Sequence, residues 1–167
     1  MEAQVAAKDL PMIFKVKYIG FEAGRGLWGV RYTKGPVDSL YKAAKNPRPD
    51  KVPPVCDLTV TLAGVNIETV MPKTNTRFRS NFIGAISYGV QDLEYANIFA
   101  MIVVKEDNPN PFEVHAFVCN NGITTKRLTF ALDAAFQDYS QRVKAAAEDY
   151  AATVQTELVI DLPEKME

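Results

Sequence analysis

The chain is poor in the residue types on which most enzymes and metalloproteins rely. Among 167 residues there is one histidine, His115, and there are two cysteines, Cys56 and Cys119. One imidazole and two scattered thiols do not make a tetrahedral zinc set, and no CxxC or HxxxH spacing occurs. No metal and no other cofactor is expected. Each cysteine borders an apolar, strand-like run, so both are expected as reduced core thiols of a cytosolic protein. A catalytic triad would have to pass through His115, which sits mid-strand between Val114 and Ala116 and is expected to be structural. No GxGxxG, phosphate-binding loop or GxSxG is present, and the spacing of Gly20, Gly24 and Gly26 fits none of them. An enzyme is therefore not expected. Nothing approaches the roughly 18 consecutive apolar residues of a membrane span. The opening Met1-Glu2-Ala3-Gln4 lacks the basic and apolar regions of a signal peptide. The net charge is −1, without the positive field that a nucleic-acid partner requires.

What is present fits a single globular domain with tails. Apolar residues make up 47% and charged residues 23%, and a chain of this length buries enough surface to need no staple. The small net charge hides an asymmetry. Residues 1–54 carry ten basic and five acidic side chains, a net of +5, and residues 55–167 carry nine and fifteen, a net of −6.

The hydropathy pattern predicts the elements. Residues 12–19 alternate, with Phe14, Val16 and Tyr18 on one face and Lys15 and Lys17 on the other, a half-buried strand ended by Gly20. Residues 21–35 read as loop. Pro36 suits a first helical position, and Val37, Leu40, Tyr41 and Ala44 give one short amphipathic helix. The prolines between residues 46 and 54 mark a loop. Period-two alternation then predicts a tight hairpin over 58–68, a short exposed strand at 76–81 and a strand at 82–90. Residues 98–104 are apolar throughout, which predicts burial on both faces. Residues 105–111 form a charged turn and 112–119 a last strand. Thr124 or Thr125 is expected to cap a long helix over roughly 125–150, with Leu128, Leu132, Ala135, Phe136, Tyr139 and Val143 on one stripe. Residues 1–11 read as an extension, 12–150 as the domain and 151–167 as an acidic tail in which Val159 and Ile160 suit a short pairing segment.

Several runs resemble the phosphotyrosine-binding (PTB/PID) family. These are Lys15-Val16-Lys17-Tyr18-Ile19-Gly20, Leu58-Thr59-Val60 with Gly64-Val65-Asn66-Ile67, and Ile86-Ser87-Tyr88 followed by Asp92. Ile98-Phe99-Ala100-Met101-Ile102, His115-Ala116-Phe117-Val118-Cys119 and Ala135-Phe136 complete the set. They run in order from about residue 12 to residue 145, and their flavour is that of the Disabled/Numb group or the low-density lipoprotein receptor adaptors.

The resemblance implies an α+β, PH-like superfold: about seven antiparallel strands in two near-orthogonal sheets capped by the C-terminal helix. It implies an intracellular adaptor that binds Asn-Pro-x-Tyr or Asn-Pro-x-Phe (NPxY/NPxF) segments of receptor or partner tails. Such a peptide would add to the strand around 83–90 by β-augmentation, touching Ile83, Gly84, Ala85, Ile86, Ser87 and Tyr88 and, on the helix, Leu132, Phe136 and Tyr139. Gly84, Ala85 and Ser87 are small enough to let another backbone approach. The stripe position of Phe136 equally permits a core role, and Ile86 and Tyr88 suit sheet packing without a ligand. Phosphotyrosine-reading members carry Arg or Lys before the last strand. Here Lys105 faces Glu106 and Asp107 with no arginine, so unphosphorylated ligands are favoured. The resemblance also implies phosphoinositide head groups as partners, through Lys15, Lys17, Arg25, Lys42, Lys45 and Lys51, joined by Arg48. Asn110-Pro111-Phe112 resembles a ligand of endocytic domains and reads more simply as a turn. The expected state is a cytoplasmic monomer that meets the inner face of the plasma membrane or endocytic sites only peripherally. The rival readings are a lipid module with an unused peptide groove and a phosphotyrosine-dependent adaptor.

Overall fold

The computed structural model describes residues 5–157. The order is β1 (Met12–Ala23), α1 (Val30–Lys45), β2 (Val55–Thr61), β3 (Gly64–Met71), β4 (Phe78–Phe82), β5 (Ile86–Gln91), β6 (Ile98–Val104), β7 (Phe112–Val118) and α2 (Gly122–Glu157). All pairings are antiparallel, and the strands lie in the order β4-β3-β2-β1-β7-β6-β5. This is the expected α+β, PH-like architecture. Val159 and Ile160 lie outside the described residues.

β1 joins the two halves of the sheet. Its first part, Met12–Lys17, pairs with β2, and its second part, from Lys17 to Ala23, pairs with β7. The register shifts between Tyr18 and Gly20, and Gly20 has φ +107°. Gly20 therefore does not end the strand. The bulge there bends it, so that one strand serves both halves of the single seven-stranded sheet, where two sheets were expected.

Each face of the sheet is covered by one helix. Phe99, Met101 and Val103 of β6 join Phe14, Val16, Leu58, Val60, Phe117, Leu128, Leu132 and Ala135 in the larger core, under α2. Ile98, Ala100 and Ile102 point the other way, into a second core with Val37 and Leu40 of α1. β6 is thus buried on both faces, as its unbroken apolar run requires. Cys56 and Cys119 are buried and free.

Both helices depart from the sequence expectation at their ends. α1 begins at Val30 and carries Pro36 inside it. Thr33, Val37 and Leu40 lie on one face and are all buried, and that burial outweighs the lost backbone donor at Pro36. α2 begins before either threonine, because Asn121 caps it: its Oδ1 accepts the Thr124 amide at 2.8 Å. At the other end the helix continues past residue 150 to Glu157. A 3-10 turn at Ile83–Ala85 replaces the first half of the strand expected over 82–90. Among the described residues no helix is long and apolar enough to cross a membrane.

Candidate functional site: the β5 edge and the basic end

β5 is an edge strand that pairs only with β6. Its outer side presents unpaired backbone groups, the feature that β-augmentation uses. A register shift between Ile86 and Tyr88 bulges the strand at Ser87. The Ser87 hydroxyl donates to the Leu27 carbonyl at 2.5 Å, which ties the β1–α1 loop to this edge. Leu27 and Trp28 are 50% and 70% exposed there.

α2 runs beside β5 and is locked to it by small-to-large packing. A Cβ on Gly89 would lie 2.4 Å from Leu132 Cδ2, and one on Gly84 would lie 2.7 Å from the Tyr139 hydroxyl and 2.6 Å from the Phe82 ring. The space beside both glycines is thus filled by the protein's own side chains. Phe82 and Tyr139 meet edge to face, with centroids 5.7 Å apart.

The sequence-predicted peptide contacts divide into two groups. Ile83, Ile86 and Leu132 are core residues, at most 4% exposed, so their side chains present almost no surface to a ligand. Tyr88 packs half-buried against the α1-side core. Gly84 is exposed, Ala85, Ser87, Phe136 and Tyr139 are half-buried, and Phe136 and Tyr139 rest against the rim of the main core. One turn before Phe136 stands Asp133. Its side chain is exposed by area, yet crowding raises its carboxyl above the usual range through desolvation. Desolvation also raises the Tyr88 phenol, with Asp133 the second cause. Strand and helix therefore bring these two groups together. The sequence reading missed Asp133, because an acid on the polar flank of an amphipathic helix looks like solvated surface. Its one signal was the three-residue spacing from Phe136.

The far end of β5 is anchored by charge. Asp92, 4% exposed, accepts the Glu94 and Tyr95 amides at 3.0 and 2.9 Å and Lys34 Nζ at 3.2 Å. Lys34 also meets Asp38 and Glu94, each at 2.8 Å. Burial opposes the lysine's charge, but these three carboxylates win and raise its pKa. One lysine thus holds α1 to the turn after β5.

The loop before β7 is a closed turn. Asn110 Oδ1 accepts the Phe112 amide at 3.1 Å, and Phe112 packs on the α1-side core, so the Asn-Pro-Phe run is spent on structure. Glu106 and Asp107 are exposed there. His115 is fully buried. The Tyr18 hydroxyl lies 2.8 Å from its Nδ1, and Glu113 Oε1 lies 3.0 Å from its Nε2. In the neutral ring Nε2–H donates to Glu113 and Nδ1 accepts from Tyr18. Desolvation lowers the histidine's pKa to about 4, against the Glu113 hydrogen bond. Desolvation also pushes the Tyr18 phenol up to about 12.

The basic residues named from the sequence do not form one patch. Lys17 sits where β1 passes between Val55 and Val118, and Ala23 pairs with Glu113 at the other end of β7. Lys17 and Ala23 are therefore about 17 Å apart, five β7 residues at ~3.3 Å each, and Arg25 follows two residues beyond Ala23. Lys17 and Lys45 line one cavity of about 720 Å³. Lys51 and Arg48 line a second, of about 760 Å³, on the other side of the proline-rich 46–54 loop, together with Arg77 and Arg79. Lys15 and Lys42 are exposed and line neither cavity.

No protein-family model matches the chain, and no curated protein matches it in sequence. Among solved structures it is similar to the solution structure of the C-terminal phosphotyrosine interaction domain of mouse APBB2. The TM-score is 0.59 at 16% identity, over 82% of this chain and 95% of that one. What the likeness shows is the fold, seven antiparallel strands and a C-terminal helix in a PH-like arrangement.

Proposed function

We propose that the chain is an adaptor domain that captures an extended peptide between β5 and α2, the ligand being an Asn-Pro-x-Tyr or Asn-Pro-x-Phe segment of a partner's tail. The observation that carries this reading is the open β5 edge lying beside a helix whose rim holds a half-buried Phe136. Backbone pairing supplies affinity and the aromatic rim receives the Asn-Pro turn. The tyrosine is bound without phosphate. Asp133 stands one turn from Phe136, Glu106 and Asp107 are exposed before β7, and Arg77 and Arg79 belong to the opposite edge strand and its approach. A dianionic phosphate finds repulsion at the groove instead of an arginine fork. The protein acts as a cytoplasmic monomer, at the inner face of the plasma membrane or at endocytic sites.

The test is an anisotropy titration with matched Tyr, phospho-Tyr and Phe peptides, on wild type and on Phe136→Ala. Saturable binding that drops about tenfold in a variant that stays folded, ~1.4 kcal/mol, supports the reading. A folded Phe136→Ala that binds as wild type removes the rim from the site.

A second reading concerns lipid. Lys17 and Lys45 share a cavity of about 720 Å³, a pair of cations suited to an anionic membrane. Sedimentation with phosphatidylserine vesicles, weakening as salt rises, is the expected outcome. Loss of pelleting in Lys17→Glu/Lys45→Glu locates the face.

A further inference from the structure

The sheet ends not only in β5 but also in β4, which pairs only with β3. Successive residues of an antiparallel strand send their backbone groups alternately to one side and the other. The Arg77 carbonyl accepts the Thr69 amide at 2.8 Å, and the Ile83 amide donates to the Ala63 carbonyl at 2.8 Å. Arg77, Arg79 and Asn81 therefore bond towards β3, and Phe78, Ser80 and Phe82 turn their N–H and C=O groups to the open side. Side chains alternate with the same period. Asn81 is 3% exposed, and Arg77 and Arg79 line the cavity beside the 46–54 loop, so these three lie on the barrel side. Phe78 and Phe82 lie on the outer side, 65% and 58% exposed.

Edge strands are ordinarily blunted by proline, a bulge or charge. β4 contains no proline and meets β3 without a register shift. Its guard is charge of one sign. Residues 73–82 hold Lys73, Arg77 and Arg79 and no carboxylate. Among the described residues none of these three makes an ion pair. Arg79 leans over the Phe21 ring, 5.8 Å from its centroid, while Lys73 and Arg77 are exposed. Glu68 pairs with Phe78 and so stands on the outer side. Such a guard repels a second copy of β4, which would bring cations against cations, and admits a strand of opposite charge.

We infer that β4 docks an extended segment of another protein in which carboxylates alternate with apolar side chains. The open backbone groups of Phe78, Ser80 and Phe82 supply the ladder. A strand laid on them places every second side chain beside the two phenylalanines and the others on the arginine side. The first set is apolar, because it covers exposed rings next to Glu68. The second set is acidic, because it meets cations that lack a carboxylate. β4 and β5 stand at opposite ends of the strand order, so this edge does not rest on the peptide reading proposed above.

The probe is a fluorescent, capped octapeptide of alternating Val and Glu, titrated by anisotropy. Two control peptides alternate Val with Lys, or place all Val before all Glu. The proteins are wild type, Ser80→Pro, Ser80→Ala and Arg77→Glu, each checked by thermal melt. Proline at position 80 removes an outward N–H and leaves the pairing with β3. Alanine there controls for the hydrogen bond from Ser80 to Asn66, 2.8 Å long. Saturable binding that is at least about tenfold weaker in Ser80→Pro and Arg77→Glu, holds in Ser80→Ala and is weak for both control peptides supports the edge. If Ser80→Pro does not fold, the exposed substitution Arg77→Glu decides. No binding to wild type overturns the inference. So does equal binding of the Val-Lys peptide, or binding that a folded Ser80→Pro or Arg77→Glu retains. Displacement by excess Asn-Pro-x-Tyr peptide would place the probe at β5 and overturn it too. A wild-type dimer in light scattering that Ser80→Pro dissolves would assign the edge to a second copy, with the same consequence.

Discussion

The contact between Gly89 and Leu132 sets how closely α2 lies against β5, and it makes a quantitative prediction. A methyl group at position 89 would sit 2.4 Å from Leu132 Cδ2 and 3.3 Å from the Phe99 ring. Leu132 is 1% exposed and Phe99 fully buried, so neither can swing into solvent. Overpacking of this kind costs about 1–3 kcal/mol. Removing glycine from a strand returns about 0.5–1 kcal/mol of backbone entropy, so Gly89→Ala is expected to lose up to about 2.5 kcal/mol. Leu132→Ala alone leaves a cavity between helix and sheet and costs about 2–5 kcal/mol. In the double variant the new methyl enters the space that Leu132 vacated. The pair should therefore cost no more than Leu132→Ala alone, a favourable coupling of about 1–3 kcal/mol. Urea melts of the four proteins measure it. Strictly additive losses would refute the packing argument. Peptide affinity supplies a second reading, because Gly89→Ala pushes the helix from the edge strand and is expected to weaken binding, which the double variant restores.

Three further outcomes follow from the site. Phosphorylating the ligand tyrosine should not tighten binding, and a tenfold gain, about 1.4 kcal/mol, would mean that an arginine reaches the groove after all. Neutralising the repelling acid in Asp133→Asn should narrow the gap between the Tyr and phospho-Tyr peptides, and an unchanged gap in a folded variant removes Asp133 from the ligand's neighbourhood. Stability should depend on pH through His115, which faces Tyr18 and Glu113 with Arg79 and Lys105 nearby. Its pKa is about 4 in the fold against 6.5 unfolded. Between those values the unfolded chain binds a proton that the fold refuses, so stability is lost as pH falls from 6.5 and levels off below about 4. The gap corresponds to roughly 3 kcal/mol. Urea melts at stepped pH should show the loss in wild type and a flatter profile in His115→Gln, and equal profiles would assign the pH dependence to other groups.

What the sequence made legible was whatever depends on neighbours along the chain. β6 spans residues 98–104 in the structure as its apolar run predicted, and the β2–β3 hairpin turns between Thr61 and Gly64 where alternation broke. What it concealed depends on contacts across the fold. Gly20 reads locally as a stop, yet β1 continues past it because β7 lies waiting on the other side of the bend. Pro36 reads as a helix start, yet the helix begins six residues earlier because Thr33 is buried on the same face as Val37 and Leu40. The edge-strand site and the cavity beside the 46–54 loop differ in the same way. The edge strand and Phe136 were approachable from short runs, since the groove is built from two continuous elements. The arginine-lined cavity was not, because Arg48 and Arg77 stand 29 positions apart and line it together only after β2, β3 and β4 have folded back on one another. Charge asymmetry along the chain pointed to the basic first third, but half of this cluster comes from the acidic remainder. A linear charge count therefore locates a basic segment, and only the topology turns it into a cavity.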